Sequence, residues 1–289
     1  MNWIRVNRAN RCPVCQHPDW CCIGAKWILC MRVASDRECK SGGWFHAISE
    51  EAKAMPRKPG PIRPTIDAEK LMRGWWEHTT RAMFSALAAS LGVAEDSLVA
   101  LKCAWAPEYS AWAFPMRDGG GSVTGVRLRL ESGQKLAVKG SREGVFIPTI
   151  KPEDTAWIVE GPTNCAANLS LGKYTLGRPS CMSGIAPLCA VVARLNIRQA
   201  VLVADNDEDK EHQNGKKWNP GLDGAKRLAD EIGVPCCTVV LPVKDSREFL
   251  RAGGTTELLD SFTHSVVWQK PNKGSNITHA ANLPVPVHA

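Results

Sequence analysis

The sequence predicts an α/β protein: a mostly parallel sheet flanked by helices, preceded by a mixed α+β segment and a small cysteine-rich ribbon. Three observations carry that expectation. From residue 155 onward, short apolar runs alternate with helical periodicity: "TAWIVE" (155–160), a shorter run at 173–177, "AVLVAD" (200–205) and "CTVVL" (237–241), with helical stretches near 162–171, 185–196 and 221–232. Upstream, residues 111–148 alternate in the manner of antiparallel strands around the turn "DGGG" at 118–121. Six of the 12 cysteines fall in the first 39 residues, where long periodic segments are lacking.

The elements follow in order. "CPVC" at 12–15 is a knuckle in which two thiolates grip one ion from a single tight turn, and a second pair of ligands is expected after a hairpin. Cys30, in "ILCMR", is the third ligand. For the fourth, His46 is preferred because it follows a Gly-Gly turn and an aromatic pair, with Cys39 and Cys21 as alternatives. Such a site is a structural zinc site, and the ion supplies the stability that so small an apolar core cannot. Residues 51–66, with four prolines and four basic groups, read as a flexible linker. Between Ile66 and Leu91, Leu71, Trp75, Ala82, Leu87 and Leu91 share roughly one helical face, and Gly92 stops the helix. The expected domains are thus 1–50, 67–150 and 151–262, and the polar, proline-rich stretch 263–289 reads as a disordered tail.

Composition narrows the function classes. The net charge of +7 suits a polyanionic partner. No run of about 18 apolar residues occurs, so no membrane span is expected, and a cytoplasmic location follows. Cys165, Cys189, Cys236 and Cys237 sit among apolar neighbours as reduced core thiols. The phosphate-binding pattern G-x4-G-K-[ST] is absent, so a helicase motor of that kind is expected to be a separate protein.

The acids carry the chemistry. The apolar run 155–160 ends on Glu160, and the run at 200–205 ends on Asp205, followed by Asp207. A third run leads into "VKDSREFL", which brings Asp245 and Glu248. In a parallel sheet, functional groups collect at the carboxyl ends of strands, so these carboxylates are expected to meet at one edge. Carboxylates so placed do not all stay ionised without cations, and hard divalent ions such as Mg2+ or Mn2+ are their natural partners. On the preceding strands and turns lie Arg127, Arg129, Lys135, Lys139 and Arg142, and Arg127 and Arg129 share one strand face.

Glu160-Gly161 after an apolar strand, followed by Asp205-x-Asp207 at the next acidic strand end, resembles a Toprim domain. "FPMRDGGGSVTGVRLRLESGQKLAVKGSREGVF" (114–146) resembles the segment preceding that domain in bacterial and phage primases, and a zinc ribbon stands in front, so the likeness runs over roughly residues 10–255. The sequence is most similar to the zinc-ribbon primase-like proteins of phages and prophages. That resemblance implies metal-dependent primer synthesis on single-stranded DNA from nucleoside triphosphates. It implies that Glu160 assists proton transfer or orients the attacking hydroxyl, and that Asp205 and Asp207, with Asp245 nearby, hold the metal. It also implies that Arg129 and Lys139, helped by Arg117 and Arg127, contact template or nucleotide phosphates, and that the ribbon reads the template. Asn164 and Arg247 stand where the family commonly has acids, and "EDKEHQNGKKWNP" is an extra loop before Gly221. A Toprim nuclease is the rival enzyme, and a zinc-dependent DNA-binding accessory protein the non-catalytic rival. The two tyrosines, Tyr109 and Tyr174, are not placed for a topoisomerase.

Overall fold

The computed structural model describes residues 3–39, 42–48, 66–211, 217–264 and 266–269. The chain divides into two compact units, Met1–Arg63 and Pro64–Ala289. Residues 51–65, nearly all of the expected linker, lie outside the described residues.

The first unit is an antiparallel sheet in the order β1(Ile4–Arg5), β2(Cys22–Ile23), β3(Trp27–Cys30), β4(Trp44–Ala47). Its buried apolar side chains are few: Val6 and Ile28 beside Cys12, Cys21 and Cys30.

The second unit opens with α1(Ala68–His78) and α2(Arg81–Leu91), where the sequence pattern suggested one continuous helix. The break falls at the β-branched pair Thr79–Thr80. Thr79 adopts an extended backbone and donates its hydroxyl to Trp75 O at 2.7 Å, while Thr80 caps α2 by accepting from Met83 N–H. Gly92, left-handed at φ 71°, ends α2 as expected. After α3(Glu95–Ala100), strands β5(Ala104–Ala106), β6(Ala111–Arg117), β7(Val123–Leu130) and β8(Lys135–Ala137) form an antiparallel meander. The β6–β7 turn is the expected one: Asp118 Oδ1 accepts from Gly120 and Ser122 N–H, both at 3.0 Å. One face of the meander, with Ala104, Ala106, Ala111, Ala113, Val126 and Leu128, packs on Met72 and Trp75 of α1. The other, with Trp112, Phe114 and Met116, joins the main core with Phe84, Leu87 and Leu91 of α2.

Strands β9(Thr155–Glu160), β10(Thr175–Arg178), β11(Gln199–Ala204) and β14(Cys236–Val240) form an all-parallel sheet in the order β10-β9-β11-β14. Helices α4(Gly161–Ser170), α5(Ile185–Arg194) and α6(Pro220–Glu231) link them, and α7(Ser246–Arg251) and α8(Thr256–His264) follow. Side-chain alternation divides the sheet cleanly. Trp157, Val159, Val201 and Val203 pack with Cys165, Phe249 and Phe262, whereas Ile158, Leu176 and Leu202 pack with Leu188 and Leu228. The core thiols Cys165, Cys236 and Cys237 are buried as expected, while Cys189 is half-buried.

Residues 145–147 stitch the two sheets together: Val145 bridges Arg117 at the end of β6, and Phe146 bridges Gly177 on the outer strand β10. A small hairpin, β12(Lys210–Glu211) and β13(Lys217–Trp218), lies within the extra loop. At the carboxyl end the structure corrects the expected tail boundary. Residues 263 and 264 close α8, and Gln269 exchanges two backbone hydrogen bonds with Cys236, at 3.0 and 2.7 Å. Residues 270–289 lie outside the described residues.

Candidate functional site

In the amino-terminal unit the sulfurs of Cys12, Cys15, Cys21 and Cys30 all lie within 4.8 Å of one another. Cys15 Sγ is 3.7 Å from Cys21 Sγ, which is 4.0 Å from Cys30 Sγ. Those separations are close to the roughly 3.8 Å edge of a tetrahedron with metal–sulfur bonds of about 2.3 Å. Local folding explains the set. Cys12 and Cys15 share a turn closed by Gln16 N–H donating to Cys12 O at 2.8 Å, with Gln16 left-handed at φ 59°. Cys22 faces Leu29 across the β2–β3 hairpin, so the register brings Cys21 opposite Cys30. Met31 and Val33 N–H groups donate to the Cys21 and Cys30 sulfurs at 3.4 and 3.3 Å.

Burial opposes ionisation of Cys15, but the His17 N–H and the neighbouring thiols together outweigh it and bring its pKa down to about 7. Burial and the adjacent thiols push Cys21 up to about 12. A cation would offset the charge that the four thiols otherwise resist, and the donor set fits a tetrahedral structural ion of the zinc class.

The fourth member is therefore Cys21 and not His46. His46 faces Ile28 across β3–β4, two residues from Cys30, and its Nε2 lies 3.0 Å from Val33 O. Cys39 is also outside the group, its backbone closing a turn with Gly42 and Gly43. The overlooked signal was the hairpin itself: Cys21 and Cys30 flank it symmetrically, and Gly24 supplies its turn.

In the second unit the acids collect where the sheet changes direction. From β9 the chain moves to β10 on one side; from β11 it moves to β14 on the other. The carboxyl ends of β9 and β11 thus flank a topological switch point, the crevice that open parallel sheets offer to ligands. Glu160 is the last residue of β9 and Asp205 directly follows β11. Glu160 occupies the N-cap position of α4 without making a side-chain cap bond. Asp245, by contrast, is a true cap: its Oδ1 accepts from Glu248 N–H at 2.8 Å, and Glu248 reaches back to Lys244 N–H at 3.0 Å.

Electrostatics show which groups face one another. Burial pushes the Asp205 carboxyl up to about 8, reinforced by Glu160, Asp245 and Asp207 and opposed by Lys135. Asn164 Nδ2 donates to Asp205 Oδ1 at 3.4 Å. Among the described residues, no three of these carboxylates lie as close together as the four sulfurs do. The acids form an open edge, which suits Mg2+, an ion that keeps several waters and takes one or two carboxylates plus substrate oxygens. Beneath the edge a cavity of about 20 Å3 is lined by Glu160, Arg178, Cys181, Asp205 and Gly221. That is room for about one water molecule.

Gly221 is required there by close approach: a Cβ on it would lie 2.1 Å from Asp205 O. Gly221→Ala should push the α6 start away from Asp205 and destabilise the chain by about 1–3 kcal/mol. The check is the urea midpoint, which should fall with the slope unchanged.

The basic residues divide. Arg129 is half-buried; burial and Arg247 depress its pKa against the pull of Asp245, which places it beside α7. Arg127 Nη2 donates to Pro179 O at 3.3 Å, just past the end of β10. Arg117 Nη1 donates to Gly121 O at 2.9 Å and braces the β6–β7 turn, and Lys139 is exposed in the turn after β8. Of two further cations at the acid edge, Lys135 belongs to the basic set expected on the preceding strands, and Arg178 was absent from it. Lys135 Nζ sits 3.9 Å from where a Gly161 Cβ would be. Arg178, opposite Glu160 in the β9–β10 register, is buried and donates to Ser183, Gly224 and Cys181 carbonyls. A lone cation closing a short strand was its signal in the sequence.

This mixed α/β arrangement is the fold of a primase catalytic core. Solved structures that match include the DnaG catalytic core (14% identity, TM-score 0.51, covering 69% of this chain and 80% of that one). The DnaG primase catalytic domain bound to ssDNA matches at 14% identity and TM-score 0.52, over 69% of this chain and 78% of that one. The Aquifex aeolicus primase, with its zinc-binding and RNA polymerase domains, matches at 16% and 0.53, over 70% of this chain and 60% of that one. At such identities the likeness is one of fold. No family model matches the chain, and no curated protein matches it by sequence. Among the described residues no helix is long and apolar enough to cross a membrane.

Proposed function

We propose that the chain is a Toprim-class DNA primase of the phage and prophage type, a nucleotidyltransferase that makes short primers on single-stranded DNA from nucleoside triphosphates. The observation that supports this reading is that Glu160, Asp205 and Asp245 close or follow the carboxyl ends of three neighbouring parallel strands, with Lys135 of β8 near Gly161 at the same edge. Asp205 and Asp207 hold Mg2+ or Mn2+, with Asp245 nearby. Held there, such an ion would supply Lewis-acid compensation for the charge that develops in phosphoryl transfer. Glu160, free of capping duty, accepts or orients the proton of the attacking hydroxyl. Lys135 and Arg129 bind phosphate oxygens and steer the triphosphate to the acids; Arg117, Arg127 and Lys139 line the approach of the template. The four-cysteine site holds structural zinc, and its ribbon contacts the template. A replicative helicase is the partner this reading calls for, and the work is done in the cytoplasm of a bacterial host cell.

The test is synthesis. Zinc-loaded protein with mixed-sequence single-stranded DNA, Mg2+ or Mn2+ and labelled ribonucleotides should give a ladder of short products that Asp205→Ala/Asp207→Ala abolishes. Metal-dependent shortening of the DNA instead would move the protein to the nucleases. Tight DNA binding with neither product and no metal dependence would leave the accessory-protein reading, which Asn164 and Arg247, standing at positions commonly acidic, favour.

A further inference from the structure

Across the meander four side chains stand in one transverse row. Trp105 of β5 faces Trp112 of β6, Trp112 faces Arg129 of β7, and Arg129 faces Lys135 of β8. Directly opposed residues of an antiparallel sheet share a face, and neighbouring strands are about 4.8 Å apart. The row therefore runs from an aromatic end, through a guanidinium, to the ammonium that meets the acid edge.

Its aromatic end opens into a cavity of about 470 Å3 between α2 and the sheet, walled by Leu87, Leu91, Trp105, Trp112 and Arg129. That volume lies in the usual range for small-ligand pockets. Trp112 is nearly buried and packs edge-on against Trp105, centroids 5.8 Å apart at 68°, fixing the Trp105 ring while leaving it partly exposed. Arg129 is half-buried, yet among the described residues its guanidinium makes no hydrogen bond or ion pair. Its neighbour Arg247, on the first turn of α7, is a second cation. Glu131 also lines the pocket and Asp245 pulls on Arg129, yet no carboxylate is bonded to the Arg129 guanidinium, and with Arg247 acting on it as a second cation, phosphate is the group that such planar forks suit best.

We propose that the pocket receives one base of the bound single strand, stacked on Trp105, with the phosphate of that nucleotide held by Arg129 and Arg247. The inference rests on the reading of the chain as a protein acting on single-stranded DNA, and it gives Arg247 a role of its own in place of an acid. The row then acts as a gauge: the strand is held at the tryptophan end while chemistry proceeds beyond Lys135.

The test uses the full zinc-loaded chain and single strands carrying 5-iododeoxyuridine, irradiated after binding, with crosslinks mapped by mass spectrometry. Crosslinks are expected on the peptide 103–117, at Trp105, and Asp205→Asn should retain them. Trp105→Leu should lose them and weaken strand binding about tenfold, the order of one stacked base. Trp105→Phe, which keeps a stacking ring, should bind within about twofold of the unaltered protein. Arg247→Glu should weaken binding of all sequences alike and lower the salt slope by about one. Bound strands that crosslink only outside 103–117, or equal losses in the Phe and Leu variants, would overturn the proposal. A chain that crosslinks at Trp105 but makes no primer sinks the transferase reading and spares this one; primer synthesis without that crosslink does the reverse.

Discussion

Asp205→Asn should yield a protein that is firmer than the original and inert. An ordinary aspartate in the unfolded chain titrates near 3.8, whereas in the fold the Asp205 carboxyl is pushed up to about 8, first by burial and then by Glu160, Asp245 and Asp207. Between those values the folded state binds the extra proton, so stability falls as pH rises. In Mg2+-free buffer the group's contribution is full below about pH 4 and is lost as the pH passes through 8. A shift of this size corresponds to about 6 kcal/mol. The asparagine variant has no such titration. Its denaturation midpoint should stay nearly level from pH 5 to 8, while that of the unaltered chain declines and recovers when Mg2+ is added. Primer synthesis should drop by about 10²–10³-fold. Parallel pH–stability curves for the two proteins would show that Asp205 is not the strained acid of the edge.

The second large effect belongs to the first unit. Cys21→Ser should release its metal and unfold residues 3–48, while His46→Ala should keep one metal per chain. Val6 and Ile28 form almost the whole apolar core there, and a structural zinc ion contributes about 10–16 kcal/mol in comparable small domains. Metal content by elemental analysis and amide exchange over β2 and β3 would decide. Metal lost from His46→Ala and kept in Cys21→Ser would restore the histidine as ligand. Chelation should melt this unit alone, since the second unit has a large core of its own.

What could be read in advance follows the range of the forces involved. The parallel strands were legible because a strand buried on both faces must be apolar along its length, and the acids were legible because a carboxylate ending such a run is conspicuous. The Thr79–Thr80 break was not, because helical periodicity carried on through it and only the capping geometry of Thr80 marks the interruption. Cys21 was passed over for His46 because ligand choice depended on hairpin register, a matter of which residue faces which across a turn. Arg178 faces Glu160 across a parallel crossover, and Lys135 comes near Gly161 only because the meander packs on the parallel sheet, neither of which a local pattern displays. Arg117 has a structural duty that its motif did not display: its guanidinium braces the β6–β7 turn.

The parallel sheet has two outer strands, and each is touched by a short piece of chain from elsewhere: Phe146 on β10 and Gln269 on β14. Left bare, an outer strand offers unpaired amides and carbonyls to any other chain. The run beneath Gln269, "CCTVV", is uncharged and rich in β-branched residues, the composition that favours cross-β stacking. The few residues after α8 therefore guard solubility rather than chemistry. A chain ending at residue 264 should fold when fresh and scatter light on standing, where the full chain stays clear.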